Sequence, residues 1–189
     1  MYRITRSIDI DFAHNVQGHD GPCLSIHGHT WKFELVMEAA ELDIQGFVVD
    51  FACLKQRVLD PCHRLLDHGY AVGSDLCTPE VIEALRTIGS RLLETRRALH
   101  GTVAGTGRWL FQHDRIESPK ESLHGAYDVD LGGMKLVVFP FSPTSERLAS
   151  WLAGLAQSRL SDNRISVRCA RIYENLHPTV SLAEYLPRP

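Results

Sequence analysis

Two stretches of alternating residues constrain this chain more than any other feature. In residues 2–14, Ile8, Ile10 and Phe12 fall on one parity and Asp9 and Asp11 on the other. In residues 27–39, Trp31, Phe33, Leu35 and Met37 share a parity. Side chains alternate across a strand, so each stretch predicts a strand with one buried face. Residues 15–26 between them contain Gly18, Gly21 and Pro22 and read as a loop. Paired as a hairpin, the strands set the chain's basic plan.

The rest of the chain adds helices and more strands. Asp50 is placed to cap a helix starting near Phe51, and Leu54, Val58, Leu65 and Leu66 form its apolar face. Pro61 should kink or break that helix. Thr78-Pro79 opens a second helix whose stripe is Val81, Leu85, Ile88 and Leu92, with Gly101 as its stop. Residues 101–133 read as loop with a short strand at Trp109-Leu110-Phe111. Residues 135–141 predict a strand, and Ser142-Pro143 opens a helix with Leu148, Trp151, Leu152 and Leu155 inward. Residues 165–174 and 180–185 predict two further strands. The order implies an α+β fold with helices on one face of an antiparallel sheet. At 189 residues and 44% hydrophobic, the chain is expected to be a single domain, 1–189.

Charge limits the partners. The net charge is -3, with no polybasic or acidic run, which argues against nucleic acid and anionic membrane. No apolar run reaches the roughly 20 residues of a membrane span. Residues 1–6 lack the apolar stretch of a signal peptide, so the expected location is cytoplasmic. The five cysteines are scattered and odd in number, which fits free thiols.

His14 ends the first strand, and His27-Gly28-His29 begins the second. Residues two apart on a strand face the same side. His14 follows the parity of Phe12, and His29 that of Trp31. Hairpin pairing would therefore gather all three imidazoles at the loop end. Three neutral imidazoles suit a Zn2+ ion and leave a fourth position for water or substrate. On spacing alone, three ordinary histidines remain the alternative.

Further motifs follow in order: Phe12-Ala13-His14, Cys23-Leu24-Ser25-Ile26-His27-Gly28-His29, and Gly46-Phe47-Val48-Val49-Asp50-Phe51 with Leu54-Lys55. Leu66-Asp67-His68, Ser142-Pro143-Thr144-Ser145-Glu146 and Tyr173-Glu174 complete the set. In this series the chain resembles the 6-pyruvoyl-tetrahydropterin synthase and 6-carboxytetrahydropterin synthase family. The resemblance covers residues 2–70 and 140–186 and leaves about 72–138 as an insertion. It implies a tunnelling fold (T-fold): a four-stranded antiparallel sheet with helices on one face. It also implies homo-oligomers, trimers or hexamers, with active sites at subunit boundaries.

The resemblance implies a zinc-dependent lyase acting on a pterin triphosphate, 7,8-dihydroneopterin triphosphate. It makes His14, His27 and His29 the zinc ligands and Cys23 the proton-transferring residue. Asp67 and His68 become an acid–base pair, and Glu174 the pterin anchor. Asn175 follows Glu174 where many members have threonine. The Cys-x-x-x-His spacing from Cys23 to His27 resembles the carboxy enzymes of queuosine biosynthesis more than the pyruvoyl enzymes. The expected products are 6-carboxy-5,6,7,8-tetrahydropterin, acetaldehyde and triphosphate. The alternatives are a pyruvoyl-type synthase that eliminates triphosphate and a non-catalytic zinc- or pterin-binding homologue.

Overall fold

The computed structural model describes residues 1–102, 122–160, 163–177 and 179–187. The expected strand at Trp109-Leu110-Phe111 lies outside these residues.

The two alternating stretches form β1 (Tyr2–His14) and β2 (His27–Ala39). They pair antiparallel from Tyr2–Ala39 to His14–His27 without a shift. Ile10, Phe12, Trp31, Phe33, Leu35 and Met37 are all buried on one face. Phe12 stacks on Trp31 with ring centroids 4.7 Å apart. Full burial of such a side chain is worth about 1.5–3 kcal/mol, so this face alone fixes which parity points inward.

Asp50 caps α1 (Phe51–Leu54) by accepting from the Ala52 N–H at 2.6 Å. The helix widens into a π turn over Lys55–Leu59 and resumes as α2 (Asp60–Leu66), with Pro61 in its first turn. Proline has no N–H to give the Arg57 carbonyl. The Arg159 guanidinium donates to that carbonyl instead, at 3.1 Å.

Next come β3 (Gly69–Gly73), α3 (Pro79–Thr102), β4 (Tyr127–Asp130) and β5 (Lys135–Phe139). The chain then forms α4 (Ser145–Arg159), β6 (Ile165–Asn175) and β7 (Ser181–Tyr185). The Thr144 hydroxyl caps α4.

These strands form one sheet in the order β4-β5-β3-β1-β2-β6-β7. Within it, β1, β2, β6 and β7 are the expected four-stranded antiparallel unit. The sheet as a whole corrects that expectation, because it has seven strands and is mixed. The β3 strand joins β1 in parallel through Ala13–Tyr70 and His14–Ala71. It continues in parallel to β5, and β4 closes a hairpin on β5. Every residue of β3 is buried, so its sequence shows no alternation.

The expected placement of all helices on one face also needs correction. Leu54, Leu65, Leu148, Trp151 and Leu152 join the inward faces of β1 and β2 in the main core. By contrast, Tyr70, Val72, Leu136 and Val138 point to the other face of β3 and β5, where Ile82 and Leu85 of α3 pack on them. The stripe expected for α3 was Val81, Leu85, Ile88 and Leu92, yet Ile88 is 51% and Leu92 54% exposed. The contacting face runs instead through Ile82, Leu85 and Gly89. Gly89 is buried so close to Leu131 that a Cβ would collide with the Leu131 carbonyl oxygen. A glycine adds nothing to a hydrophobic stripe, so the sequence hid this face.

Replacing Gly89 with valine is therefore expected to cost about 1–3 kcal/mol by overpacking. Ile88→Ala and Leu92→Ala should stay within about 0.5 kcal/mol of the parent. Urea unfolding of the three variants measures this, and a fully stable Gly89→Val protein would contradict the packing.

Candidate metal centre

The β1–β2 register places His14 directly opposite His27 and Phe12 opposite His29. His14 is buried and packs edge-on to Trp31 at 4.8 Å, as His29 does at 5.2 Å. The three imidazoles meet at the loop end of the hairpin, with ring centroids 4.6 to 5.6 Å apart.

Their outer nitrogens are all engaged. His14 Nδ1 donates to the Pro143 carbonyl at 2.9 Å, and His27 Nδ1 to the Ser25 carbonyl at 2.8 Å. His29 Nδ1 donates to the Asn175 side-chain oxygen at 3.0 Å. A carbonyl oxygen only accepts, so each Nδ1 carries a proton, and a ring in its neutral form then turns an Nε2 lone pair inward. His14 Nε2 and His27 Nε2 lie 3.1 Å apart. His29 Nε2 is buried and has no hydrogen-bond partner.

Glu174 completes the group. Its Oε1 lies 3.4 Å from His29 Nε2 and 3.5 Å from His14 Nε2. Its Oε2 accepts from the Ser145 hydroxyl at 3.1 Å. Ligand atoms of His14, His27, His29 and Glu174 all lie within 4.8 Å of one another. The contact from His14 lowers the Glu174 pKa below its ordinary value of 4.5, with further help from Ser145 and His29. Burial lowers the His29 pKa below 6.5, opposed by the Glu174 carboxylate. A neutral His29 beside an ionised Glu174 is the pairing a divalent cation requires. The buried, unpartnered His29 nitrogen and this donor set fit a zinc ion.

The other expected site residues lie outside this group. Cys23 sits in the 3-10 turn Pro22–Leu24, partly exposed, where its carbonyl accepts from the Val16 N–H at 2.8 Å. His68 Nδ1 lies 3.0 Å from Asp67 Oδ2, and the His68 side chain is 82% exposed. His68 adopts a left-handed backbone, φ 57°, between α2 and β3. Few non-glycine residues do so, and they often occur where function holds them. Its N–H donates to the Asp11 carbonyl at 2.7 Å, which fixes the pair beside β1. The resemblance makes Glu174 a pterin anchor, and no residue pattern points to its contact with the histidines. The supporting groups Pro143, Ser145 and Asn175 were likewise not foreseen in these roles.

The sequence profile of the 6-pyruvoyl tetrahydropterin synthase family matches residues 3–185. The chain belongs to this family. Among its relatives is the 6-carboxy-5,6,7,8-tetrahydropterin synthase of Haemophilus influenzae, 36% identical over 78 residues, or 37% of this chain and 52% of that protein. The Synechocystis enzyme of the same name is 32% identical over 92 residues, 44% of this chain and 70% of that one. The chain spans about half the length of most curated relatives it matches, 54% for the Rickettsia typhi enzyme.

Solved structures share the fold over nearly the whole chain. An uncharacterised protein of Wolinella succinogenes superposes with a TM-score of 0.65 at 24% identity, covering 99% of this chain and 98% of that one. The 6-pyruvoyl tetrahydropterin synthase of Caenorhabditis elegans gives 0.54 at 14% identity, covering 99% and 96%. The fold is thus the T-fold of this family, with the sheet extended by β3, β5 and β4. Among the described residues, no helix is long and apolar enough to cross a membrane.

His27→Ala is expected to lose bound zinc, measured by metal analysis after dialysis. Asn175→Ala should weaken zinc about 10–100-fold, because His29 would lose the acceptor that orients it. Full zinc retention in His27→Ala would remove that histidine from the ligand set.

Proposed function

We propose that this chain is a zinc-dependent carbon–carbon lyase acting on 7,8-dihydroneopterin triphosphate. With one water consumed, the products are 6-carboxy-5,6,7,8-tetrahydropterin, acetaldehyde and triphosphate. The observation that carries this reading is the convergence of three Nε2 atoms whose rings are each held from behind at Nδ1. The relatives named 6-carboxy-5,6,7,8-tetrahydropterin synthase and the Cys23-x-x-x-His27 spacing favour the carboxy reaction over the pyruvoyl one.

His14, His27 and His29 would hold the zinc. The bound ion would lower the pKa of the substrate's side-chain hydroxyls and offset negative charge developing there. The remaining work falls to side chains of the protein. Cys23 takes a proton from the substrate side chain and returns it. Asp67 orients His68 through its Nδ1–H, which leaves His68 Nε2 to move a proton. Glu174 anchors the pterin by accepting two parallel hydrogen bonds from its amino group and ring N–H.

His68 is exposed on its own subunit, so it serves most naturally at a site shared with a second copy in a homo-oligomer. We place the protein in the cytoplasm. We treat residues 1–189 as one domain whose insertion, about 72–138, contributes α3 and β4 and most of β5.

Incubating the zinc-loaded protein with dihydroneopterin triphosphate, with products identified by mass, tests the reading. Carboxy-pterin with acetaldehyde is expected, and a pyruvoyl-pterin would move the protein to the other branch. No turnover at full zinc content would refute both reactions for this substrate. Cys23→Ala should abolish turnover and keep its zinc; loss of zinc would make Cys23 a ligand instead.

A further inference from the structure

Both oxygens of Glu174 are already engaged. Oε2 accepts from Ser145, at the start of α4. Oε1 faces the Nε2 atoms of His14 and His29 at 3.5 and 3.4 Å. A carboxylate facing imidazole nitrogens that carry no proton is unfavourable unless a positive charge lies between them. The spacing is informative as well. A tetrahedral zinc site with bonds of about 2.0–2.2 Å has donor atoms about 3.3–3.6 Å apart. The two Glu174 spans fall in this range, the His14–His27 span of 3.1 Å lies just below it, and the remaining spans lie within 4.8 Å.

The backbone explains how Glu174 comes to face the histidines together with its neighbour. The β6–β7 register shifts between Tyr173 and Asn175, so Tyr173 pairs with Leu182 and Asn175 with Ser181. Glu174 is the extra residue of a β-bulge, which breaks the alternation and re-aims side chains. Two consecutive residues thereby serve one site. Glu174 Oε1 meets the inward nitrogens, while Asn175 holds the outward nitrogen of His29.

We propose that Glu174 is a displaceable fourth ligand, closing the metal centre in the substrate-free protein and leaving it when a pterin binds. The inference rests on the metal-centre reading above. It follows from the engagement of both oxygens: a carboxylate held this way cannot accept the pterin's paired hydrogen bonds until it is released. The same side chain would then guard the ion at rest and anchor the ring in the complex.

The test uses the full-length chain loaded with Co2+, followed by visible absorption and chelator competition. The substrate-free parent should show intense four-coordinate bands. Glu174→Gln, nearly identical in shape, should bind Co2+ about ten-fold or more weakly and show weaker bands as water enters. X-ray absorption of the zinc-loaded parent, which needs no variant, should count four light-atom ligands with one carboxylate. Adding 7,8-dihydroneopterin to the Co2+-loaded parent should shift the bands.

Parent-like affinity and bands in Glu174→Gln would overturn the fourth ligand and leave the three-histidine centre standing. Bands unmoved by bound pterin would overturn displacement. Failure of the parent to bind Co2+, or undiminished binding by His27→Ala, would overturn the metal centre itself.

Discussion

The register between β1 and β2 is the constraint on which the rest of the structure depends. Each strand buries one parity, and a slip by a single residue would turn every inward side chain to the opposite face. Trp31, Phe33, Leu35 and Met37 on one strand and Ile10 and Phe12 on the other leave one workable pairing. That pairing, driven by apolar burial, also sets His14 opposite His27. The hydrophobic core therefore positions the polar site, and His14 and His29 pack against Trp31, one of its most buried members.

Position alone does not make a site, because an imidazole can present either nitrogen. Here the choice is made by oxygens from three separate places. Ser25 lies in the hairpin loop, Pro143 before α4, and Asn175 at the end of β6. The α4 and β6 segments reach the hairpin because the core packs them there. The inward orientation of the three Nε2 atoms is thus a property of the whole fold. It is spread over residues 129 and 146 positions away from the histidines they support.

What the sequence revealed follows from this division. Where side chains alternate or a cap residue announces a helix, the reading was direct: β1, β2, the Asp50 cap and the Pro61 interruption all stand as expected. The meeting of the three histidines was legible for the same reason, since strand parity is a local property. The missed features lack such a signal. Both faces of β3 are buried, so it has no period, and α3 packs through a glycine that no hydrophobic stripe registers. Strand alternation cannot forecast that Glu174 and Asn175 face one site, because a bulge breaks it there.

The same geometry bears on where catalysis would take place. On the side of β1 away from β2, β3 pairs only with Ala13 and His14. Among the described residues, no strand pairs with residues 2–12 on that side. An unpaired strand edge is a standing invitation to another chain, and closing sheets into a barrel removes it. Beside this edge the Asp11 carbonyl holds the backbone of His68 in its left-handed turn, and the imidazole points to solvent. As the proposed acid–base pair, fixed in place yet exposed, Asp67 and His68 do little for their own subunit's histidine cluster. Held at an open sheet edge, the pair is where a neighbouring copy would bring its own site. The proposed chemistry and the proposed oligomer thus share one structural cause, the short reach of β3 along β1.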